Sequence, residues 1–223
     1  MLREKGKYAA ATENRRFVWK EIVWPLVLEV NDVSFSIKQG EKVAIVGETG
    51  AGKSTIAKLI LRFYLPSKGD LKYFGVESEL VDQKWVRKNI AYVPQESFLF
   101  RGSIRDNLLY SDPLGLDLSK ALEDLSMESW FDRYKAGLDQ EVGERGGNIS
   151  SGERQFVALL RAVIAKRPIV VFDEATSNLD MESESAILEA TDKLLGHQTS
   201  LVIAHRLETV LTAERIIVMD QGK

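Results

Sequence analysis

The sequence predicts an α/β fold in which a parallel sheet is covered by helices. Short apolar runs rich in β-branched residues recur along the chain, and stretches with helical spacing separate them. The clearest runs are Lys42–Val46, Ile90–Val93, Ile169–Phe172, Ser200–Ala204 and Ile216–Met219. Polar residues follow several of these runs. This is expected where the carboxyl ends of parallel strands meet and a ligand binds.

Composition narrows the class of protein. The chain has 223 residues, of which 44% are hydrophobic, so a sizeable core is possible and disorder is not expected. The net charge of -3 provides no basic field for nucleic acid, and the absence of cysteine excludes disulfides and thiolate metal sites. No apolar run reaches the roughly 20 residues that a membrane helix needs, and no signal peptide is visible. We therefore expect any membrane role to come through a partner or a segment outside this chain.

A phosphate-binding loop follows the first clear strand. The pattern G-x-x-x-x-G-K-[ST] is formed by Gly47, Glu48, Thr49, Gly50, Ala51, Gly52, Lys53, Ser54 and Thr55. The glycines allow backbone conformations in which N–H groups surround phosphate oxygens at a helix N-terminus. Lys53 can reach the β- and γ-phosphates, and the Ser54 hydroxyl can bind Mg²⁺. Helical spacing of Ile56, Leu59, Ile60 and Phe63 predicts the helix that follows.

Two adjacent carboxylates follow the apolar run Ile169–Phe172. Asp173 at this strand end can hold Mg²⁺, directly or through water. Glu174 can orient or deprotonate an attacking water. With the phosphate loop upstream, the pair resembles a Walker B element and indicates hydrolysis of a nucleoside triphosphate.

The stretch Asn148–Gln155 resembles the signature motif of ABC ATPases, and it lies just before the Walker B element, as in that family. Ser150 and the backbone of Gly152 are predicted at the N-terminus of a helix over Glu153–Ala165, where free N–H groups suit a γ-phosphate. The resemblance implies that this surface meets ATP bound to a second protomer. Ser151 and Glu153 depart from the usual glycine and glutamine. We expect the Glu153 carboxylate to weaken nucleotide contact unless Arg154 or another cation offsets it.

The resemblance extends from about Phe17 to the end of the chain and implies further site residues. Gln95 matches the residue that links Mg²⁺ to a transmembrane partner, Asp180 lies in the equivalent of the D-loop, and His205 matches the switch histidine that contacts the γ-phosphate. Trp24 is the candidate for stacking on adenine, although it could instead be a core aromatic, and Trp19 is its rival.

The resemblance also implies an architecture. The fold would be a P-loop NTPase (RecA-like) core with a parallel sheet, an N-terminal antiparallel β subdomain and an inserted α-helical subdomain. We expect the core to comprise residues 17–95 and 166–223 and the helical subdomain to comprise residues from about 96 to 165. Residues 1–16 are polar and are interpreted as a linker or tail.

The stretch Gln140–Gly146 resembles the x-loop of ABC exporters, which lies near the transmembrane domains. The resemblance implies an ATP- and Mg²⁺-dependent ATPase that dimerises around two ATP and drives export, on the cytoplasmic side of a membrane. Its partners would be transmembrane domains and a second nucleotide-binding domain, identical or different. Whether the chain is an excised domain or a separate subunit stays open. A soluble non-transport ABC ATPase and a low-turnover regulatory half of a heterodimer remain alternatives.

Overall fold

The computed structural model describes residues 30–110, 117–173, 198–204 and 213–223. Its centre is a five-stranded sheet in which all neighbouring strands are parallel. In spatial order, the strands are β4 (Ile90–Val93), β7 (Ile169–Asp173), β8 (Thr199–Ile203), β1 (Lys42–Gly47) and β9 (Arg215–Met219). The predicted apolar runs are therefore confirmed as strands of one parallel sheet, and their carboxyl ends share one edge.

Five α-helices and two short antiparallel strand pairs occur in the described residues. The helices are α1 (Lys53–Ile60), α2 (Gln83–Asn89), α3 (Ile104–Leu109), α4 (Leu118–Asp124) and α5 (Ser151–Ile164). The pairs are β2 (Lys72–Tyr73) with β3 (Val76–Glu77) and β5 (Gly102–Ser103) with β6 (Glu141–Val142). Short 3₁₀ helices cover Ser78–Leu80, Glu128–Arg133, Gly137–Asp139 and Glu144–Gly146.

The core consists of two clusters of buried side chains. One surrounds the phosphate-loop strand and helix and includes Ile45, Ile56 and Leu201. The other joins α3, α4 and α5 to one face of β4 and β7, with Phe156 stacked on Trp130 at 3.8 Å between ring centroids. Helical spacing of apolar residues predicts a stripe on the helix after the signature motif, and all of its members are buried in this second cluster: Phe156, Leu159, Leu160, Val163 and Ile164. Helix α5 is thereby fixed to both the sheet and the helical region.

Three sequence expectations need correction. The loose alternation of apolar residues along Val27–Ile37 predicts further strands, but the described part, residues 30–37, forms no ladder with any described strand. Partly buried and exposed positions do alternate along Val33–Ile37. Helix α1 ends at Ile60, because Arg62 takes a left-handed φ of 54°, and Phe63 is therefore 56% exposed instead of extending the helix face. Helix α5 begins at Ser151, two residues before the predicted start, since Ser150 caps it.

Candidate nucleotide-binding site

The phosphate loop, Gly47–Thr55, connects the carboxyl end of β1 to α1 at the edge of the sheet. A Cβ on Gly47 would lie 2.2 Å from the backbone oxygen of Met219 on β9, so only glycine fits there. Gly52, with a left-handed φ of 92°, caps α1. The loop therefore packs closely against β9 where it leaves β1, and it leads directly into the N-terminus of α1. The free N–H groups of a helix N-terminus bind phosphate.

Lys53 is the buried cation of this loop, with 4% of its surface exposed. Its ammonium donates hydrogen bonds to the carbonyl oxygens of Gly47 (2.7 Å) and Glu48 (2.8 Å). These bonds fold the side chain back across the loop, so a positive charge lies inside the curve of the backbone. Glu48, Thr49 and Gly50 are exposed at the rim, while Ala51 and Thr55 are buried beneath it. A buried cation within a glycine-rich loop at a helix N-terminus is suited to a polyphosphate.

The Ser54 hydroxyl meets the Asp173 carboxylate where α1 starts and β7 ends. Ser54 Oγ donates to Asp173 Oδ1 at 3.0 Å, and Asp173 is 5% exposed. The Tyr92 hydroxyl donates to the other carboxylate oxygen, Oδ2, at 3.3 Å. Burial, and then the neighbouring Asp173 carboxylate, raise the pKa of Tyr92, so its hydroxyl stays protonated as a donor. A hydroxyl and a carboxylate that converge beside a phosphate site are the oxygen ligands that Mg²⁺ takes.

Gln95 lies in an exposed position two residues after β4. Because β4 pairs with β7 in parallel, with Val93 opposite Phe172, Gln95 lies at the same sheet edge as Asp173. The structure therefore brings Lys53, Ser54, Asp173 and Gln95 to one edge of the sheet. Trp24, Glu174, Asp180 and His205 lie outside the described residues, and their roles stay predictions.

A capping box starts the helix that follows the signature motif. The Ser150 hydroxyl accepts a hydrogen bond from the Glu153 backbone N–H (3.2 Å), and the Glu153 carboxylate accepts one from the Ser150 backbone N–H (2.9 Å). Ser150 and Ser151 are exposed, and Gly152 is buried. The residue that departs from the family pattern, Glu153, therefore stabilises the turn that presents Ser150.

The sequence left the cation near Glu153 as Arg154 or another residue, and the structure favours another residue. Arg154 is not the partner, because its guanidinium donates to the carbonyls of Gly146 and Ile149. Partial burial acts to raise the pKa of Glu153, but its hydrogen bonds with Ser150 and the proximity of Tyr134 and Arg133 outweigh this and lower it. Arg133, whose positive charge contributes to lowering that pKa, also lies 4.1 Å over the Trp130 ring.

Two side chains join the stretch Gln140–Gly146, here called the x-loop, to the signature helix. Asn148 accepts a bond from the Gly143 N–H (2.7 Å) and donates one to the Glu141 carbonyl (2.8 Å). Arg154 donates to the carbonyls of Gly146 (3.2 Å) and Ile149 (2.5 Å). The contact is close, since a Cβ on Gly146 would lie 2.6 Å from Arg154 Cδ. We call these four hydrogen bonds the clasp. It holds the x-loop and the start of α5 together.

Known proteins resemble this chain in both sequence and fold. The sequence model of the ABC transporter family matches residues 30–177. This chain belongs to the ABC transporter family. Its matched region contains the phosphate loop, the signature motif and the Walker B carboxylates, as the sequence resemblance implied. The ABC fold is likewise found in a solved structure, a bacterial Atm1-family ABC exporter with ATP bound. That structure matches with a TM-score of 0.80 and 40% identity over 87% of this chain and 35% of the exporter chain.

Curated ABC relatives are similar over nearly the whole chain. The toxin RTX-I translocation ATP-binding protein of Actinobacillus pleuropneumoniae is 41% identical over 213 residues, which cover 94% of this chain and 30% of the relative. The ATP-dependent lipid A-core flippase of Pseudomonas fluorescens (strain Pf0-1) is 43% identical over 197 residues, which cover 87% of this chain and 33% of the flippase. The chain spans about a third of the length of the curated relatives that it matches.

Tyr92 is the site residue that sequence reasoning missed. It lies one residue before the end of β4, in the run Ile90–Val93, and it drew no attention because its type suits any strand. Only the strand order, which places β4 beside β7, brings its hydroxyl to Asp173. No signal in the residue spacing alone could have found it, because the pairing of Tyr92 with Val171, two residues before Asp173, follows from the strand order.

Two further features of the described residues bear on the function. Within the ranges given above, no helix is both long and apolar enough to cross a bilayer. In those same ranges, no three histidine, cysteine or acidic side chains are grouped as a metal site would need. The Ser54 hydroxyl and the Asp173 carboxylate are two oxygen ligands, which fits a magnesium ion that would take its remaining ligands from phosphates and water.

Proposed function

We propose that this chain is the ATP-hydrolysing domain of an ABC exporter, which closes around two ATP with a second such domain and drives transport through a transmembrane partner. The observation that carries the proposal is the hydrogen bond between Ser54 and Asp173 beside the buried Lys53. It joins the phosphate loop to the Walker B strand at one sheet edge. These groups are the ones a site needs to hold Mg²⁺ and the phosphates of ATP.

Residues of the chain would divide the work of hydrolysis. Lys53 would hold the β- and γ-phosphates, while Ser54 and Asp173, with Gln95 beside them, would hold Mg²⁺. When bound, the ion neutralises charge that develops on the phosphate oxygens. Glu174 would orient the attacking water or accept its proton, and His205 would hold the γ-phosphoryl group. Trp24 would stack on adenine, and Asp180 would lie at the junction between protomers.

The start of α5 supports a site completed by a second copy. Ser150 and Ser151 are exposed, and their hydrogen bonds hold the turn in a fixed shape. An exposed helix N-terminus carries a positive partial charge suited to a γ-phosphate. Because the capping box forms with Glu153 in place, the departure from the family glutamine is compatible with a working signature surface. We infer that this surface binds the ATP held by the phosphate loop of a partner protomer.

An exposed cluster of three aromatic side chains supports a transmembrane partner. Phe98, Phe100 and Tyr110 are 45%, 37% and 59% exposed. Tyr110 stacks on Phe100 at 4.1 Å, and Phe98 meets Phe100 edge-on at 5.1 Å. Clustered exposed aromatic rings are typical of an interface. With the x-loop resemblance, this favours docking at the cytoplasmic side of a membrane over a soluble role.

The test is the variant Glu174→Gln, which keeps the size of the side chain and removes its basic oxygen. ATP hydrolysis is expected to fall by about a hundredfold or more, in the range of a lost general base. Binding of a fluorescent ATP analogue should be unchanged. The exposed carboxylate Glu214 offers a matched control, and Glu214→Gln should hydrolyse ATP at the original rate.

Other results would overturn part of the proposal or favour one of the alternative functions. Unchanged hydrolysis in Glu174→Gln would overturn the assignment of the base. Tight ATP binding with no hydrolysis in the unaltered chain, but hydrolysis when a different ABC domain is added, would identify a regulatory half of a heterodimer. Hydrolysis that nucleic acid or ribosomes stimulate and reconstituted transmembrane domains do not would favour the soluble ATPase.

A further inference from the structure

Tyr92 provides a second support for the Walker B carboxylate. Its hydroxyl is 3.3 Å from Asp173 Oδ2, and the Ser54 hydroxyl is 3.0 Å from Oδ1. The two donors come from different elements, β4 and α1. Each oxygen of the carboxylate therefore has its own hydroxyl donor, and the plane of the carboxylate is fixed from both sides.

The strand register explains why Tyr92 reaches this position. Tyr92 lies opposite Val171 in the parallel pair of β4 and β7, and Asp173 is two residues further along β7. Side chains two residues apart on a strand point to the same face. The long tyrosine side chain spans this step, whereas a shorter hydroxyl residue at the same position would not reach.

The Tyr92 ring is itself held in place. It meets the exposed Phe63 edge-on, with 6.1 Å between centroids and 81° between ring planes. An aromatic pair of this kind contributes to stability through its rings and does not need the hydroxyl. Removal of the oxygen alone should therefore leave the ring, the strand and the packing unchanged.

We propose that Tyr92 is a positioning residue whose hydroxyl holds Asp173 in the orientation that receives Mg²⁺. The inference rests on the proposed function, since it concerns the same metal. A carboxylate that is already oriented loses less side-chain freedom when it takes a ligand. Groups that hydrogen-bond to a metal ligand commonly alter metal affinity or activity by about 10–100-fold. Because the bond from Tyr92 is long, we expect the lower end of that range.

The variant Tyr92→Phe tests the proposal in two measurements. The first is binding of a fluorescent ATP analogue in excess EDTA and at increasing Mg²⁺. Affinity in EDTA should be unchanged, while the Mg²⁺ concentration that gives half of the metal-dependent gain should rise by about tenfold. The second is Mn²⁺ binding to the protein with a non-hydrolysable ATP analogue, measured by electron paramagnetic resonance, which should weaken by a similar factor.

Tyr73→Phe is the matched control. The Tyr73 hydroxyl is also held by one hydrogen bond, to the Ile60 carbonyl at 2.5 Å, and Tyr73 is 5% exposed. Its bond lies at the other end of α1 from Ser54, so its loss should not change the Mg²⁺ dependence. Thermal unfolding of both variants should show a cooperative transition, which establishes that the fold is kept.

The outcomes separate this proposal from the proposed function. Equal Mg²⁺ and Mn²⁺ dependence in Tyr92→Phe, Tyr73→Phe and the unaltered chain would overturn the role of Tyr92 and leave the ATPase proposal intact. A loss of affinity in Tyr92→Phe that is as large in EDTA as in Mg²⁺ would also overturn it, because it would indicate a packing role. An unaltered chain that binds nucleotide identically with and without Mg²⁺ would contradict the proposed magnesium site itself.

Discussion

The two halves of the candidate site are built in opposite ways. In the phosphate-loop half, the functional groups are buried: Lys53 is 4% and Asp173 is 5% exposed, and the strands of the sheet fix their positions. In the signature half, Ser150 and Ser151 are exposed at the start of a helix. Local hydrogen bonds, the capping box and the clasp, fix that turn. The first half can hold a ligand on its own, whereas the second offers a surface to something outside the chain.

This difference leads to a general expectation for mutations. Changes in the phosphate-loop half should impair ATP binding by the single chain, because the loop and its cation lie within it. Changes in the signature half should leave that binding intact and impair only steps that need a second protomer. Variants that damage one half and leave the other intact should therefore separate binding by the single chain from steps that need a partner.

Gly47→Ala should have the largest effect. The new methyl group would lie 2.2 Å from the Met219 backbone oxygen, so strands β1 and β9 would have to separate. We expect the free energy of unfolding to fall by about 3 kcal/mol, the cost of a severe overpacking. Urea denaturation measures it. Gly50→Ala is the control, because a Cβ there meets nothing within 4 Å and the cost should be about 1 kcal/mol, from its left-handed backbone alone.

Lys53→Ala should remove the cation expected to bind phosphate and should leave helix α1 intact. ATP affinity of the single chain should weaken by about a hundredfold, which corresponds to about 2.7 kcal/mol, the contribution of a charged hydrogen bond. Fluorescence titration with an ATP analogue provides the measurement. Lys58→Ala, in the last turn of the same helix, is the matched control and should bind normally. Equal affinities for the two variants would show that Lys53 does not contact the nucleotide.

Arg154→Ala should break the clasp in the other half. The carbonyls of Gly146 and Ile149 would lose their guanidinium partner, which should lower stability by about 2 kcal/mol. ATP binding by the single chain should not change, and ATP-dependent dimerisation, measured by light scattering, should weaken. The exposed Arg87 provides a control for loss of charge. Weaker ATP binding by single Arg154→Ala chains would refute the separation of the two halves.

Two variants, Ser150→Ala and Glu153→Gln, should distinguish the contribution of the helix cap to stability from the contribution of the Glu153 charge. Loss of the capping hydroxyl should lower stability by about 1 kcal/mol. Glutamine can still accept the bond from the Ser150 N–H, so Glu153→Gln should change stability by no more than about 0.5 kcal/mol. Chemical denaturation at neutral pH measures both. A large loss in Glu153→Gln would mean that the charge, and not the cap, holds the turn.

The smallest effect is a pH dependence. The pKa of Glu153 lies below its ordinary value of 4.5 in the folded chain, so the unfolded chain binds its proton more readily. The stability that Glu153 contributes is therefore fully present above about pH 4.5, the pKa of the unfolded chain. It is lost as the pH falls through the lower pKa of the folded chain. Thermal unfolding between neutral and acidic pH should show a shallower loss for Glu153→Gln. Identical pH profiles would exclude Glu153 as a contributor.

Much of the phosphate-loop half could be predicted from sequence because its parts are local. The loop, its strand and its helix are consecutive, and Asp173 directly follows an apolar run. Tyr92 could not be predicted, because its role depends on β4 and β7 being neighbours, which residue spacing does not reveal. The end of α1 was placed too late, since helical spacing continued to Phe63 while the left-handed turn at Arg62 had already ended the helix.

The signature half shows a different limit. The position of the motif was predicted, and the cation near Glu153 was left as Arg154 or another residue, because charge considerations alone do not choose between them. In the structure, Arg154 donates to the carbonyls of Gly146 and Ile149, and the Glu153 carboxylate accepts a bond from the Ser150 N–H three residues earlier. The spacing S-x-x-E, typical of a capping box, was present in the sequence and predicts this arrangement.

Mixing two inactive chains tests the central claim, that each ATP site takes one half from each protomer. Lys53→Ala damages the phosphate-loop half. Ser151→Asp adds a negative charge to the exposed face of the signature half at the first residue of α5, where an acidic side chain suits the helix. Each variant alone should hydrolyse little ATP. A mixed dimer contains one site whose two halves are both intact, so mixing should restore ATP hydrolysis. No recovery in a mixture that forms dimers, or full activity of Ser151→Asp alone, would contradict the account.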